Sequence, residues 1–119
     1  MKVAFATSTG IAVDESFKKS SSFSIWEIGP REALYVNQIT INRDAGSEDG
    51  RIRDRVDALA HCAIVCSRDI NGQAAAKLAA QRIHPMKTGS ILAVEEVIGK
   101  LQKVLQGNPP PWMRKAERL

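Results

Sequence analysis

Cys62-Ala63-Ile64-Val65-Cys66, Ser67-Arg68-Asp69-Ile70-Asn71, Gly72-Gln73-Ala74-Ala75-Ala76-Lys77-Leu78 and Ile83-His84-Pro85-Met86-Lys87 follow one another along the chain and decide its architecture. The first run is continuously apolar, as a strand covered on both faces of a parallel sheet must be. The second is a polar turn. The third continues to Gln81, is rich in alanine and therefore helical, with Asp69 or Asn71 available to cap its first amides. The fourth is a short strand in which Pro85 cannot donate to a ladder, which places it at an edge or a strand start. Strand, helix and strand in this order imply a right-handed crossover between parallel strands.

Outward from this unit, Lys2 to Thr7 is another nearly continuous apolar run and reads as a central strand. Residues 23–28 and 34–41 alternate, Phe23 and Ile25 against Ser24, then Tyr35, Ile39 and Ile41 against Asn37 and Thr40. Gly29-Pro30-Arg31-Glu32 between them makes a hairpin. Asn42 to Gly50 reads as a polar loop. A helix is expected over 51–60, with Ile52, Val56, Leu59 and Ala60 inward and Arg51, Arg53, Arg55 and Asp57 in water. A second amphipathic helix is expected over 91–105, where Ile91, Val94, Ile98, Leu101 and Leu105 share a face, Ser90 caps and Gly107 terminates. The order β-β-β-α-β-α-β-α predicts one α/β domain over 1–107, a ribonuclease-H-like mixed five-stranded sheet with helices on its faces. Residues 108–119 form a proline-rich basic tail, with Pro109 to Pro111 extended as polyproline.

The 119 residues are 44% hydrophobic and 25% charged, the balance of an ordinary globular domain. A net charge of +4, spread along the chain, favours anionic partners without marking a nucleic-acid tract. The apolar run Val3 to Ala6 is too short for a signal peptide, and nowhere do about 18 apolar residues run together to span a membrane. Cys62 and Cys66, four residues apart on one strand, would have Cα atoms about 13 Å apart, too far for a disulfide or a shared metal ion. A reducing cytoplasmic setting and a monomer are the expectation.

Parallel strands at 2–7, 62–66 and 83–87 would deliver Thr7 to Gly10, Cys66 to Asn71 and Lys87 to Gly89 to one carboxyl edge, where α/β proteins bind ligands. Cys66 has two readings, a soft thiolate ligand or a small buried apolar residue. Cys62 reads as structural. Ser67 and Arg68 lead into a helix whose free amides suit an anion. His84 would lie at the opposite edge, as a metal ligand or as an ordinary hydrogen-bonded histidine. No enzyme signature stands out. The first strand lacks the carboxylate a two-metal nuclease needs, no G-x-S-x-G turn is present, and two histidines without C-x-x-C do not make a zinc site.

Lys2 to Thr7 with Val13-Asp14 and Phe17, Cys62 to Val65, Gly72 to Leu78, Ile83 to Lys87 and the tail Gly107-Asn108-Pro109-Pro110-Pro111-Trp112 with Arg114-Lys115 together resemble the dinitrogenase iron–molybdenum cofactor biosynthesis family, the NifX-like carriers. The resemblance covers nearly the whole chain. It implies a non-catalytic carrier that transiently binds an anionic iron–sulfur precursor of the iron–molybdenum or iron–vanadium cofactor, or the iron–molybdenum cofactor itself. Its partners would be a NifB-type cofactor synthase, a scaffold and apo-dinitrogenase. The alternative is an interaction module that binds apo-dinitrogenase or a scaffold without cluster, and a nuclease or nucleotide-binding enzyme comes third. Many members carry Asp-x-His-Phe-Gly in the first loop, and here Ser16 stands at the histidine's place beside Phe17. The expected cofactor site is therefore Ser16, Phe17, Cys66, Ser67, Arg68 and His84, with Cys66 and His84 as metal ligands. Trp112, Arg114 and Lys115 would contact a partner, unless Trp112 folds back to cover the domain.

Overall fold

Strand β1 (Lys2–Ala6) sits at the centre of a five-stranded sheet, and its alternate side chains feed two separate cores. Val3 and Phe5 enter one and Ala4 and Ala6 the other, as the period of two along a strand requires. The computed structural model describes residues 1–41 and 46–118. After the short β2 (Ala12–Val13), β3 (Ser22–Ile28) and β4 (Ala33–Thr40) form the hairpin, with β3 antiparallel to β1. Helix α1 (Glu48–Ala58), β5 (Ile64–Ser67), α2 (Gly72–Ala80) and β6 (His84–Lys87) follow, and β5 and β6 run parallel to β1. The strand order β4-β3-β1-β5-β6 is the mixed ribonuclease-H-like arrangement, and Pro85 lies on its edge strand β6.

Helices α1 and α2 cover one face through Ile52, Val56, Leu59, Ala74 and Leu78. Helix α3 (Val94–Gln106) covers the other with Val94, Val97, Ile98, Leu101 and Leu105. Burying stripes of this kind is the main force holding such layers together, at roughly 1.5–3 kcal/mol for each large aliphatic side chain.

Several expectations need correction. Helix α1 starts at Glu48, because the Ser47 hydroxyl accepts from the Gly50 amide at 3.1 Å and so caps it three residues early. The expected loop is shorter by that turn, and its residues 42–45 lie outside the described residues. Arg55 does not face water but is 1% exposed, and Ala60 is exposed. Cys62 is buried but precedes β5, whose first residue is Ile64. Strand β4 does not keep a simple alternation: it is an edge strand whose register shifts opposite Ile25 and Trp26, and Leu34, Tyr35 and Val36 on it are all exposed.

Helix α3 begins three residues later than its periodicity suggests. Leu92–Ala93 form β7 and pair antiparallel with β2, and the Val94 amide donates to the Ile11 carbonyl at 2.8 Å. Ile91 is therefore outside the helix and 59% exposed, and Ser90 is not the cap. The extended proline arm stops at Pro110. Pro111 opens α4 (Pro111–Arg118), a position where its fixed φ and missing N–H cost nothing, and Met113 of that helix enters the α3 core.

Candidate functional site

The parallel strands β1, β5 and β6 end along one edge, and the loops leaving them are tied to each other by backbone hydrogen bonds. The Arg68 amide donates to the Glu15 carbonyl at 3.0 Å and the Phe17 amide to the Asp69 carbonyl at 2.9 Å, so Ser16 and Asp69 pair as an isolated bridge. Thr88 donates to the Ser67 carbonyl and Gly89 to the Arg68 carbonyl, both at 2.9 Å. The β2–β7 pair clamps the far side of the first loop. Within that loop the Thr7 hydroxyl accepts from the Gly10 amide at 2.9 Å, and the Asp14 carboxylate accepts from the Ser8 amide at 2.9 Å and from the Ser8 hydroxyl. Gly10 sits at φ +83°, a conformation that disfavours a side chain. A polar cleft of about 310 Å³ lies beside it, lined by Thr7 to Gly10 with Ser24, Tyr35 and Gln38.

Four of the expected site residues are brought together here. Ser16 and Phe17 lie against Ser67 and Arg68 through the bridge at Asp69. Arg68 is exposed, whereas Phe17 is 1% exposed and packs on Phe23 with ring centroids 5.9 Å apart. Among the described residues the hydroxyls of Ser16 and Ser67, like the Trp26 indole N–H on β3, are buried with no hydrogen-bond partner, which is uncommon in a folded protein. The exposed Lys87 and Asp69 side chains pair at 3.3 Å. The amino end of α2 adds its partial positive charge, with Asn71 capping the Ala74 amide at 2.8 Å.

The two expected metal ligands are not brought together. Cys66 is fully buried, its side chain turned into the α3 core, where its sulfur lies 3.6 Å from that of Met86. Burial pushes its thiol well above the usual range, so no thiolate is offered at the edge. Strand alternation explains the difference: on β5 the side chains of Ile64 and Cys66 share one face, and that face is covered by α3. The Cys62 thiol is likewise pushed up to about 12 by burial, offset in part by the charge of Lys2. Among the described residues no group of three or more His, Cys, Asp or Glu side chains could hold a metal ion.

His84 lies opposite Ile64 at the start of β6, two residues before the position paired with Cys66, and so at the other end of the sheet. It stacks on Trp112, with centroids 4.3 Å apart and planes 19° off parallel, and burial lowers its pKa. Trp112 is thus folded back and yet 37% exposed. Beside the stack opens a largely apolar cleft of about 560 Å³ between α4, the end of α2 and β6, with Lys115 among its lining residues. Arg114 lies outside it and bonds the Asn108 side chain at 2.5 Å. Sequence reasoning missed Arg82, a second cation of this cleft, although its place just after an alanine-rich helix was the available signal.

The profile of the family described as dinitrogenase iron-molybdenum cofactor matches residues 1–104. Protein NifX of Herbaspirillum seropedicae is 35% identical over 119 residues, which is 98% of this chain and 81% of that protein. Protein NifX of Azotobacter vinelandii is 30% identical over 118 residues, 98% of this chain and 74% of its own. Protein NifY of Azotobacter vinelandii is 32% identical over 98% of this chain, which spans about half, 48%, of that relative. The crystal structure of PH0822 superposes with a TM-score of 0.71 at 18% identity, over 87% of this chain and 89% of the other, a likeness of fold alone. Among the described residues no helix is long and apolar enough to cross a membrane.

Proposed function

The chain belongs to the dinitrogenase iron–molybdenum cofactor family, and from that premise we propose that it is a non-catalytic carrier in the assembly of the nitrogenase cofactor. Its cargo is an anionic iron–sulfur precursor of the iron–molybdenum or iron–vanadium cofactor, bound transiently at the carboxyl edge between residues 7–17 and 66–72. The cargo passes from a cofactor synthase of the NifB type towards a scaffold or apo-dinitrogenase, with the carrier acting as a cytoplasmic monomer. The observation that carries this reading is the cross-tied pair of segments 15–17 and 67–69, which fixes the exposed Arg68 between the first loop and the amino end of α2.

The donor set defines how such a cargo is held. With both thiols and the Ser16 and Ser67 hydroxyls buried, the edge offers the exposed Arg68 guanidinium, the helix-end charge of α2 and the exposed residues Ser8 and Thr9. Charge-assisted hydrogen bonds to sulfide and to outer ligands then replace direct ligation of iron, and a cargo held that way is easily released. Anaerobic mixing with the isolated precursor, followed by gel filtration and iron analysis, tests this. Iron should co-elute with the chain, should fall about tenfold or more in Arg68→Glu, and should be unchanged in Cys66→Ala. Partner binding without any co-eluting iron would replace this reading by that of an interaction module, and loss of iron in Cys66→Ala alone would return ligation to the thiol.

A further inference from the structure

We propose that the cleft at the amino end of β6, walled by the stacked His84 and Trp112 and flanked by Arg82 and Lys115, is a docking site for an acidic segment of a partner protein that inserts one apolar anchor side chain. The inference stands whether or not the opposite edge carries a cluster.

The cleft is built by the end of the chain. Helix α4 turns Met113 inward, 4% exposed, and by the same turn directs Trp112 outward onto His84. Its floor is apolar, with Ala63, Ile83, Pro85 and Ala116, and its volume of about 560 Å³ exceeds the needs of a leucine or phenylalanine side chain. It is open to solvent on one side. A small ligand is usually held with most of its surface enclosed, whereas a side chain carried on a partner's backbone needs only such an open seat. Tryptophan and arginine are also the residues that most often anchor interfaces.

The charges select the partner's chemistry. Neither Arg82 nor Lys115 is paired with a carboxylate among the described residues, while Lys18, Lys77, Lys87 and Lys100 all are. Among the described residues no Asp or Glu lines the cleft. Arg82 moreover stands at φ 61°, just past the cap of α2, where glycine is the usual occupant and a residue with a side chain is strained. Its amide still closes the helix by donating to the Ala79 carbonyl at 2.9 Å. A glycine would close that turn without strain but would leave the cleft with Lys115 alone.

Titration of the full chain by NMR with the acetylated peptide Glu-Asp-Glu-Leu-Phe-Glu-Asp-Glu tests the proposal. Saturable shifts are expected at the Trp112 indole and the Ala79 and Ala116 methyls, with affinity falling as salt is raised. The same peptide with lysine at every acidic position should leave these signals unmoved. Arg82→Glu with Lys115→Glu, both exposed, should weaken the acidic peptide at least tenfold and admit the lysine peptide instead. The proposal is overturned if the acidic peptide moves none of these signals, or if it binds the charge-reversed chain equally well. Octanoate saturating the cleft at lower concentration than the peptide would also overturn it, in favour of a small-amphiphile site.

Discussion

The Arg55 guanidinium closes on the carbonyl oxygen of Ser20, which accepts from Nε at 3.0 Å and from Nη2 at 2.6 Å. The Ser20 amide in turn donates to the Ser16 carbonyl at 3.0 Å, so this buried cation on α1 braces the turn between the candidate site and β3. A charge this deep is tolerated because its donors are engaged, Nη1 reaching the Arg51 carbonyl at 3.0 Å. Arg55→Ala should destabilise the fold by about 3 kcal/mol, since it strands a buried carbonyl and leaves a void. Arg55→Lys, which keeps the charge but not the fork, should fall between. Urea denaturation decides, and a loss below about 0.5 kcal/mol for Arg55→Ala would mean that the brace is idle.

The buried thiols predict a dependence of stability on alkaline pH. An unfolded thiol titrates near 8.5, whereas Cys62 in the fold is raised to about 12 and Cys66 is raised as well. Between those values the folded chain keeps protons that the unfolded chain has released. The contribution is therefore complete below about pH 8.5 and is lost as pH rises towards 12, at up to about 1.4 kcal/mol per pH unit for each thiol. Denaturation curves at pH 8 and pH 10 should show this fall in the native chain and a smaller one in Cys62→Ala. Iodoacetamide at pH 8 should label neither cysteine until urea is added, and rapid labelling of the native chain would show that the thiols are open to solvent.

The family resemblance implies a histidine at the place of Ser16, whose buried hydroxyl has no hydrogen-bond partner among the described residues. Ser16→His would add an iron-binding imidazole beside Arg68. Cargo held by outer contacts should then be retained more tightly, with iron remaining on the chain through gel filtration about tenfold longer than in the native protein. Unchanged retention would place the cargo away from this loop.

What was legible in the sequence is what local chemistry decides. The continuous apolar run of β5, the alanine-rich α2, the Gly29-Pro30 turn and the mixed sheet class all follow from propensity, pattern and crossover handedness. Non-local pairings were not legible. The stripe of α3 extends on paper through Ile91, because nothing nearby reveals that Leu92 and Ala93 pair with Val13 and Ala12 some eighty residues earlier in the chain. Arg55 reads as a water-facing charge until the Ser20 carbonyl is placed over it. Cys66 keeps two readings in the sequence, ligand or buried apolar residue, because alternation tells which residues share a face and not which layer covers that face. The carboxyl edge was found from topology alone, whereas the ties between Glu15 and Arg68 and between Phe17 and Asp69 that complete it depend on the folded loops.

The tail divides its two expected roles between neighbouring residues. Met113 is 4% exposed within the α3 core, whereas Trp112 is 37% exposed and touches the sheet through its stack on His84. Removing a buried methionine side chain costs about 2–5 kcal/mol, while losing an aromatic stack that is partly in water costs about 1 kcal/mol. Met113→Ala should therefore lower the melting temperature far more than Trp112→Ala does, although Trp112 is the larger side chain. Deleting residues 108–119 removes Pro109 and Met113 together and should cost at least as much as Met113→Ala. Differential scanning calorimetry of the three variants gives the order. If Trp112→Ala proves the more damaging substitution, the stack and not the methionine fastens α4 to the domain, and the indole would then be held too firmly in the fold to serve as a free wall of the cleft.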